Sequence, residues 1–196
     1  EAEFYIFDDV RFETKQNGSF YSIDSVAGAW NSGREEEGGN RGYKVKYKGG
    51  YFPVPPVDHF ADLRAEISVE LEKAGLVVER QHHEVGTAGQ AEINFRYDDA
   101  LTMADNHVIY KNGAKEIAHL NGCSITFMAK PSHEWIGSSC HIHSSLWRSG
   151  SPAFADDEVL FGRYLAGQIA CARELALFFA PNVNSYKRYA AGSWAP

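Results

Sequence analysis

The sequence predicts an α+β fold: a largely antiparallel sheet with helices packed outside it. Three observations carry that expectation. Apolar residues at Leu76, Val77 and Val78, and again at Ile93 and Phe95, flank a small-residue turn holding Gly86, Ala88 and Gly89, the pattern of two strand arms folding back. A second strand–turn–strand runs from Glu3–Phe7 through the turn Asn17-Gly18-Ser19 to Phe20–Ile23. Three longer stretches, beginning near Asp58, Asp99 and Glu158, carry apolar residues at helical spacing.

At 196 residues the chain is long enough for one substantial core. Its net charge of −7 argues against a general nucleic-acid or anionic-membrane surface. No apolar run approaches the roughly 20 residues of a membrane span, and no signal-peptide pattern opens the chain. Cys123, Cys140 and Cys171, odd in number and widely spaced, read as reduced thiols of a cytoplasmic protein. Both ends, E-A-E-F-Y and W-A-P, read as cuts through a larger domain.

Taken in order, Glu3, Tyr5 and Phe7 share one face of the first strand and Phe4, Ile6 and Asp8 the other. Glu1 and Glu3 either meet solvent or point inward, where a carboxylate needs a partner or a metal. Residues 28–42, rich in Gly, Asn and charge, form a loop. Lys44, Lys46 and Lys48 alternate and read as the solvated face of an edge strand. Lys48-Gly49-Gly50 turns into the stiff, extended Tyr51–Pro56. Asp58 is placed as the N-cap of a helix that ends before Gly75, with Phe60, Leu63, Ile67 and Leu71 inward.

Glu79 reads by itself as an exposed strand acid. Glu84 and Glu92 bracket the central turn; aimed into one pocket they need a shared proton or a divalent cation, and otherwise they are solvated. Asp98 or Asp99 caps a helix over about 99–121, with Leu101, Ala104, Val108, Ala114, Ile117 and Ala118 as its inner stripe and Gly122 ending it. His107 and His119 read as surface or internally satisfied histidines. Ser124–Met128 is a strand. His141 and His143, two apart, face one side of a strand, as a metal or phosphate site or as unrelated histidines. Cys140 beside them has no base to activate it and reads as a buried small residue. A loop over 148–156 precedes a helix from Glu158 to Phe179, with Leu160, Tyr164, Ile169, Ala172, Ala176 and Phe179 on its core face and Pro181-Asn182 stopping it.

The run H-H-E-V-G-T-A-G-Q-A-E-I, from His82 to Ile93, resembles the metal-binding core of bacterial glutamine synthetases. K-G-G-Y-F-P-V-P-P-V-D, Lys48 to Asp58, and N-S-Y-K-R, Asn184 to Arg188, resemble the same family in the same order. The resemblance implies a curved sheet carrying metals in its concavity, with residues 1–196 forming part of a catalytic domain. A β-grasp domain is then expected before Glu1, and the rest of the catalytic domain, with its arginine-rich segment, after Pro196. It implies two or more Mg²⁺ or Mn²⁺ ions: one on Glu3, Glu84 and Glu92, a second on Glu1 and His141. Glu79, His143, Ser145 and Trp147 fall to the nucleotide, ATP, and Gly137 and Arg188 to glutamate, with Arg188 also counted as catalytic. The implied activity is ATP-dependent ligation of glutamate to ammonium or an amine by a homo-oligomer, a dodecamer in the family.

Two departures stand out. Where the family reads N-G-S-G-M-H-C-H this chain reads I-G-S-S-C-H-I-H, so an asparagine that holds glutamate is Ile136. Where the family ends P-G-Y-E-A-P, this chain has A-G-S-W-A-P, so Trp194 replaces the glutamate that takes a proton from ammonium. The second half, including D-A-L-T-M-A-D-N-H-V-I-Y-K, looks closer to relatives that join glutamate to larger amines, such as γ-glutamylpolyamine synthetases. An organic amine is therefore expected in the place of ammonium. The alternatives are a ligase for a different acid and a non-catalytic member with a structural or metal-binding role.

Overall fold

The computed structural model describes residues 1–87 and 89–189. In chain order its strands are β1 (Ala2–Phe7), β2 (Asp9–Lys15), β3 (Gly18–Asp24), β4 (Val78–His83), β5 (Gln90–Phe95), β6 (Ser124–Thr126), β7 (Trp147–Arg148) and β8 (Ser151–Pro152). The helices are α1 (Ala61–Lys73), α2 (Ala100–Leu120), α3 (Ala153–Asp156), α4 (Glu158–Ala170), α5 (Ala172–Phe179) and α6 (Val183–Tyr186). β4, β5, β1 and β6 form one antiparallel sheet in that order, while β2–β3 and β7–β8 are separate two-stranded ribbons. The α+β expectation holds, with helices on one side of an antiparallel sheet.

Strand alternation gives the sheet two unlike faces. Ala2, Phe4 and Ile6 of β1 and Ala91 and Ile93 of β5 are buried against Leu63, Ile67 and Leu71 of α1 and Tyr110, Ala114, Ile117 and Ala118 of α2. Tyr110 sits at the centre, its ring edge-on to Phe4, Phe95 and Phe127 and its hydroxyl donating to the Ala2 carbonyl at 2.9 Å. The opposite face carries Glu3 and Tyr5 from β1 and Gln90, Glu92 and Asn94 from β5. A bulge between Val78 and Arg80 leaves Glu79 as the extra, exposed residue and sets the register that brings His82 opposite Glu92.

Several local expectations are corrected. Asp58 does not cap α1, whose N-cap is Phe60; it is buried in a two-pronged ion pair with Arg64. Lys44–Lys48 form no strand: the Val45 N–H bonds to the Ala27 carbonyl at 3.3 Å and Lys44 turns inward to Glu36 at 2.8 Å. Asp99 does cap α2, but Leu101, Ala104 and Val108 are exposed, because Tyr110, Ala114, Ile117 and Ala118 set the buried stripe. The predicted Glu158–Phe179 helix is two helices broken at Cys171, and neither buries a residue among the described ones. The 148–156 loop contains the β7–β8 ribbon and the single turn α3. Cys140 is exposed, and Cys123 and Cys171 are free as well. No helix among the described residues is long and apolar enough to cross a membrane.

Candidate functional site

On the face away from the helices, His82, Glu92 and Glu3 stand in one row across three neighbouring strands, as Glu92 pairs with His82 on one side and Glu3 on the other. Two residues further along, Gln90 pairs with Tyr5, and Glu84 joins that next row through its N–H to the Gln90 carbonyl at 2.7 Å. The same two-residue period that buries Ala91 and Ile93 therefore concentrates acids on the other face.

Two groups of metal-ligating atoms result: Glu3, Glu92 and His141, and His82, Glu84 and Glu92, each with its ligand atoms within 4.8 Å of one another. Glu3, Glu84 and Glu92 do not form one such group; Glu92 belongs to both, Glu3 to one and Glu84 to the other. Carboxylate oxygens with an imidazole nitrogen at these spacings fit a hard divalent cation.

The electrostatics show what a cation would have to balance. Burial pushes the Glu84 carboxyl up to about 7, and the charges of Glu3 and Glu92 add to the effect. Burial also raises Glu3. Glu92 lies below the ordinary carboxylate range: burial opposes this but is outweighed by hydrogen bonds from His82 and from Asn94, the latter at 2.6 Å. His82 is raised, its burial overcome by the Glu92 carboxylate, the His83 carbonyl and the charge of Glu84.

One consequence is measurable. A cation taking up Glu84 must displace a proton near neutral pH, and one taking up His82 a second, so Mn²⁺ affinity should rise by at least about tenfold per unit as pH climbs toward ~7. By the same sign, the metal-free fold loses stability as pH climbs from the carboxyl's ordinary 4.5 through about 7. Calorimetric titration of Mn²⁺ between about pH 6 and pH 8 tests this, and an affinity flat across that range contradicts it.

The remaining predicted residues are distributed unevenly. His141 and His143 are not in a strand; the Ala2–Cys140 bridge, the Glu3 N–H to the Ser139 carbonyl at 2.9 Å, the Ser139 N–H to the Glu3 carboxylate at 2.7 Å and the His141 N–H to the Glu1 carbonyl at 2.8 Å tie this segment to β1 and its start. The Glu1 carboxylate lies 3.1 Å from His143 Nε2 and 3.9 Å from His141 Nδ1, so His143 is nearer to Glu1 than His141 is. Ser145 and Trp147 are exposed, with the indole N–H donating to the serine hydroxyl at 3.0 Å and the indole stacked on Tyr97. Glu79, at the bulge, joins neither ligand group. The Gly137 carbonyl is buried and accepts from Gln90 at 3.0 Å. Arg188 shares a cavity of about 350 Å³ with Glu3, Ser138, Ser139, Cys140, His107 and Lys111. Ile136 is buried, its carbonyl accepting from the Tyr5 hydroxyl at 2.8 Å. Trp194 lies outside the described residues.

Two residues escaped the sequence reading. His82 stands between Glu84 and Glu92, 3.5 and 3.6 Å from them, and its cross-strand partner is set by the bulge, which leaves no mark in the apolar pattern. Gln90 is fully buried, accepting from the Gly86 N–H at 2.8 Å and donating to Gly137 and Ser138. Its place two residues before Glu92, on the same strand face, was the available signal.

The profile of the glutamine synthetase catalytic domain matches residues 1–196, and the chain belongs to the glutamine synthetase family, a family of ligases. It is 56% identical to the glutamine synthetase of Streptomyces coelicolor over 202 aligned positions, covering 100% of this chain and 43% of that protein. The Escherichia coli glutamine synthetase is 44% identical over 203 positions, again with 100% and 43% covered. Among solved structures, Plasmodium falciparum glutamine synthetase superposes with a TM-score of 0.86 at 30% identity, covering 98% of this chain and 39% of that one. Ligand-free GmaS superposes at 0.71 with 27% identity, covering 97% and 42%. The chain thus spans under half the length of these relatives.

Proposed function

We propose that the protein containing this chain is an ATP-dependent ligase that joins glutamate to ammonium or an organic amine as a γ-glutamyl amide. The observation that carries this reading is the row of buried acids, centred on Glu92, opening through Glu3 onto the cavity that holds Arg188. When bound there, Mg²⁺ or Mn²⁺ neutralises phosphate charge and draws the nucleotide and the acid together. Glu3, Glu84 and Glu92 would hold the ions, with Glu92 shared between the Glu84–His82 side and the Glu3–His141 side, and Glu1 would join His141 at the second. Glu79, His143, Ser145 and Trp147 serve the nucleotide, and the exposed indole of Trp147 on Tyr97 offers a flat stacking surface. Arg188, on the cavity it shares with Ser138 and Ser139, presents a planar donor fork to a glutamate carboxylate, which Gly137 would help to hold.

The γ-carboxylate oxygen attacks the terminal phosphorus of ATP and ADP leaves. The amine nitrogen then attacks the acyl phosphate carbon, inorganic phosphate leaves and the nitrogen gives up a proton. Free thiols and the absence of any spanning helix among the described residues fit the cytoplasm. Exposed Phe12, Phe20 and Tyr21 on the β2–β3 ribbon fit a homo-oligomer, a dodecamer by the family likeness.

Trp194 directs the amine choice, because an indole N–H only donates and cannot take a proton from ammonium. Its ring can hold an alkyl, aryl or cationic amine instead. Phosphate release by the intact protein, with glutamate, ATP and a panel of amines, should favour an organic amine, and Trp194→Glu should shift preference toward ammonium. Ammonium outperforming every organic amine, with no change in Trp194→Glu, would return the amine site to the ammonium-using type.

A further inference from the structure

We propose that His83, which faces away from the cation row, is the positioning residue that fixes Glu84, through an Nδ1–H shared between the Gly50 and Glu84 carbonyls. The inference rests on the cation-site reading above and adds the device that holds one of its carboxylates still.

His83 ends β4, one residue out of phase with His82, so its ring lies on the helix-facing side of the sheet. It is buried, and its Nδ1 lies 2.8 Å from the Gly50 oxygen and 2.6 Å from the Glu84 oxygen. Both partners are acceptors, so this nitrogen carries the hydrogen and donates to both. Nε2 has no partner among the described residues. The ring is thus committed to a single task on one side.

The surrounding backbone shows what that task secures. The Gly50 N–H bonds to the Val85 carbonyl at 3.2 Å and the Phe52 N–H to the His83 carbonyl at 3.3 Å, so residues 50–52 lie as a strap along the end of β4. A side chain at Gly50 has no room, since its Cβ would overlap the Glu84 carbonyl and come within 2.8 Å of the His83 ring. The Glu84 N–H is held by Gln90, its carbonyl by His83, and one of its carboxylate oxygens accepts from the Val85 N–H at 3.0 Å. The same strap lays the Phe52 ring on His82, with centroids 4.5 Å apart and planes at 21°. One imidazole therefore anchors the backbone of a carboxylate and the strap that covers its histidine neighbour. Without that donor, ordering the strap and the Glu84 peptide falls to the cation, and affinity drops.

The test is Mn²⁺ titration of the intact protein by calorimetry, with thermal melting of the metal-free form alongside. His83→Leu should weaken binding by about 10–100-fold, the usual cost of losing a group that orients a ligand. His83→Asn, whose amide nitrogen falls near the Nδ1 position, should recover most of it. His83→Gln, which reaches toward Nε2 instead, should not. Gly50→Ala, whose Cβ would crowd both the Glu84 carbonyl and the His83 ring, should weaken binding in the same direction and serves if His83→Leu does not fold. A lower melting temperature with unchanged Mn²⁺ affinity in the folded variants would overturn the inference, as would equal recovery by Asn and Gln. A wild-type protein that binds no Mn²⁺ would instead defeat the cation-site reading itself.

Discussion

Replacing Glu92 by glutamine should abolish divalent-cation binding at both ligand groups at once, the largest effect expected of any single change at this site. Glu92 is the residue common to the Glu3–His141 group and the His82–Glu84 group. Its carboxyl is also held below the ordinary range, its burial outweighed by hydrogen bonds from His82 and Asn94, so it carries charge where Glu84 in the metal-free protein is half protonated near neutral pH. The amide keeps the shape and can still accept from Asn94, but it removes the charge. With the cation goes the neutralisation of phosphate charge, worth several kcal/mol, so ligase turnover should fall by at least about 10³-fold. Glu1→Gln, at the exposed end beside His143, should cost far less. Mn²⁺ calorimetry and ADP release on both variants decide the matter. A Glu92→Gln protein with Mn²⁺ affinity within a few-fold of wild type would remove Glu92 from the centre of the site.

Arg64→Met should be the most destabilising change away from the site, costing about 3–5 kcal/mol, because it strands a buried carboxylate. The guanidinium reaches both oxygens of Asp58 and also donates to Gln81 at 2.6 Å, with the Arg64 and Asp58 side chains 3% and 4% exposed. The pair fastens the start of α1 to the sheet, and its large cost on single removal does not mean a large net contribution. Changing both partners together, Asp58→Leu with Arg64→Met, should recover most of the loss, since an apolar pair has no uncompensated charge. Urea unfolding of the two single variants and the double variant gives the coupling directly. Equal losses that simply add in the double variant would contradict the stranded-charge explanation.

What was legible in the sequence follows from how local each cause is. The β5 arm was legible from Ile93 and Phe95, and strand period alone puts Glu92 on the face opposite the buried Ile93. Phe60, Leu63, Ile67 and Leu71 were legible for the same reason at helical period. The first half of α2 was not: two apolar stripes compete there, and the fit of Tyr110 among Phe4, Phe95 and Phe127 selects the one that exposes Leu101 and Val108. Lys44 was misread because its partner, Glu36, is brought to it by a loop. Asp58 was misread because Arg64 competes for it more strongly than two backbone N–H groups. In the site, the acids were legible as residue types, whereas the part of His82 depends on the one-residue bulge at Glu79, which composition does not announce.

A divalent-cation site centred on Glu92 must bind Mn²⁺ along the acid row. Anomalous X-ray scattering from crystals of the intact protein grown with Mn²⁺ and a non-hydrolysable ATP analogue tests it most directly. A peak is expected about 2.0–2.3 Å from Glu92 and at least one of Glu3 and Glu84, with a second peak against His141. A map with no Mn²⁺ peak within bonding distance of Glu92 would contradict it.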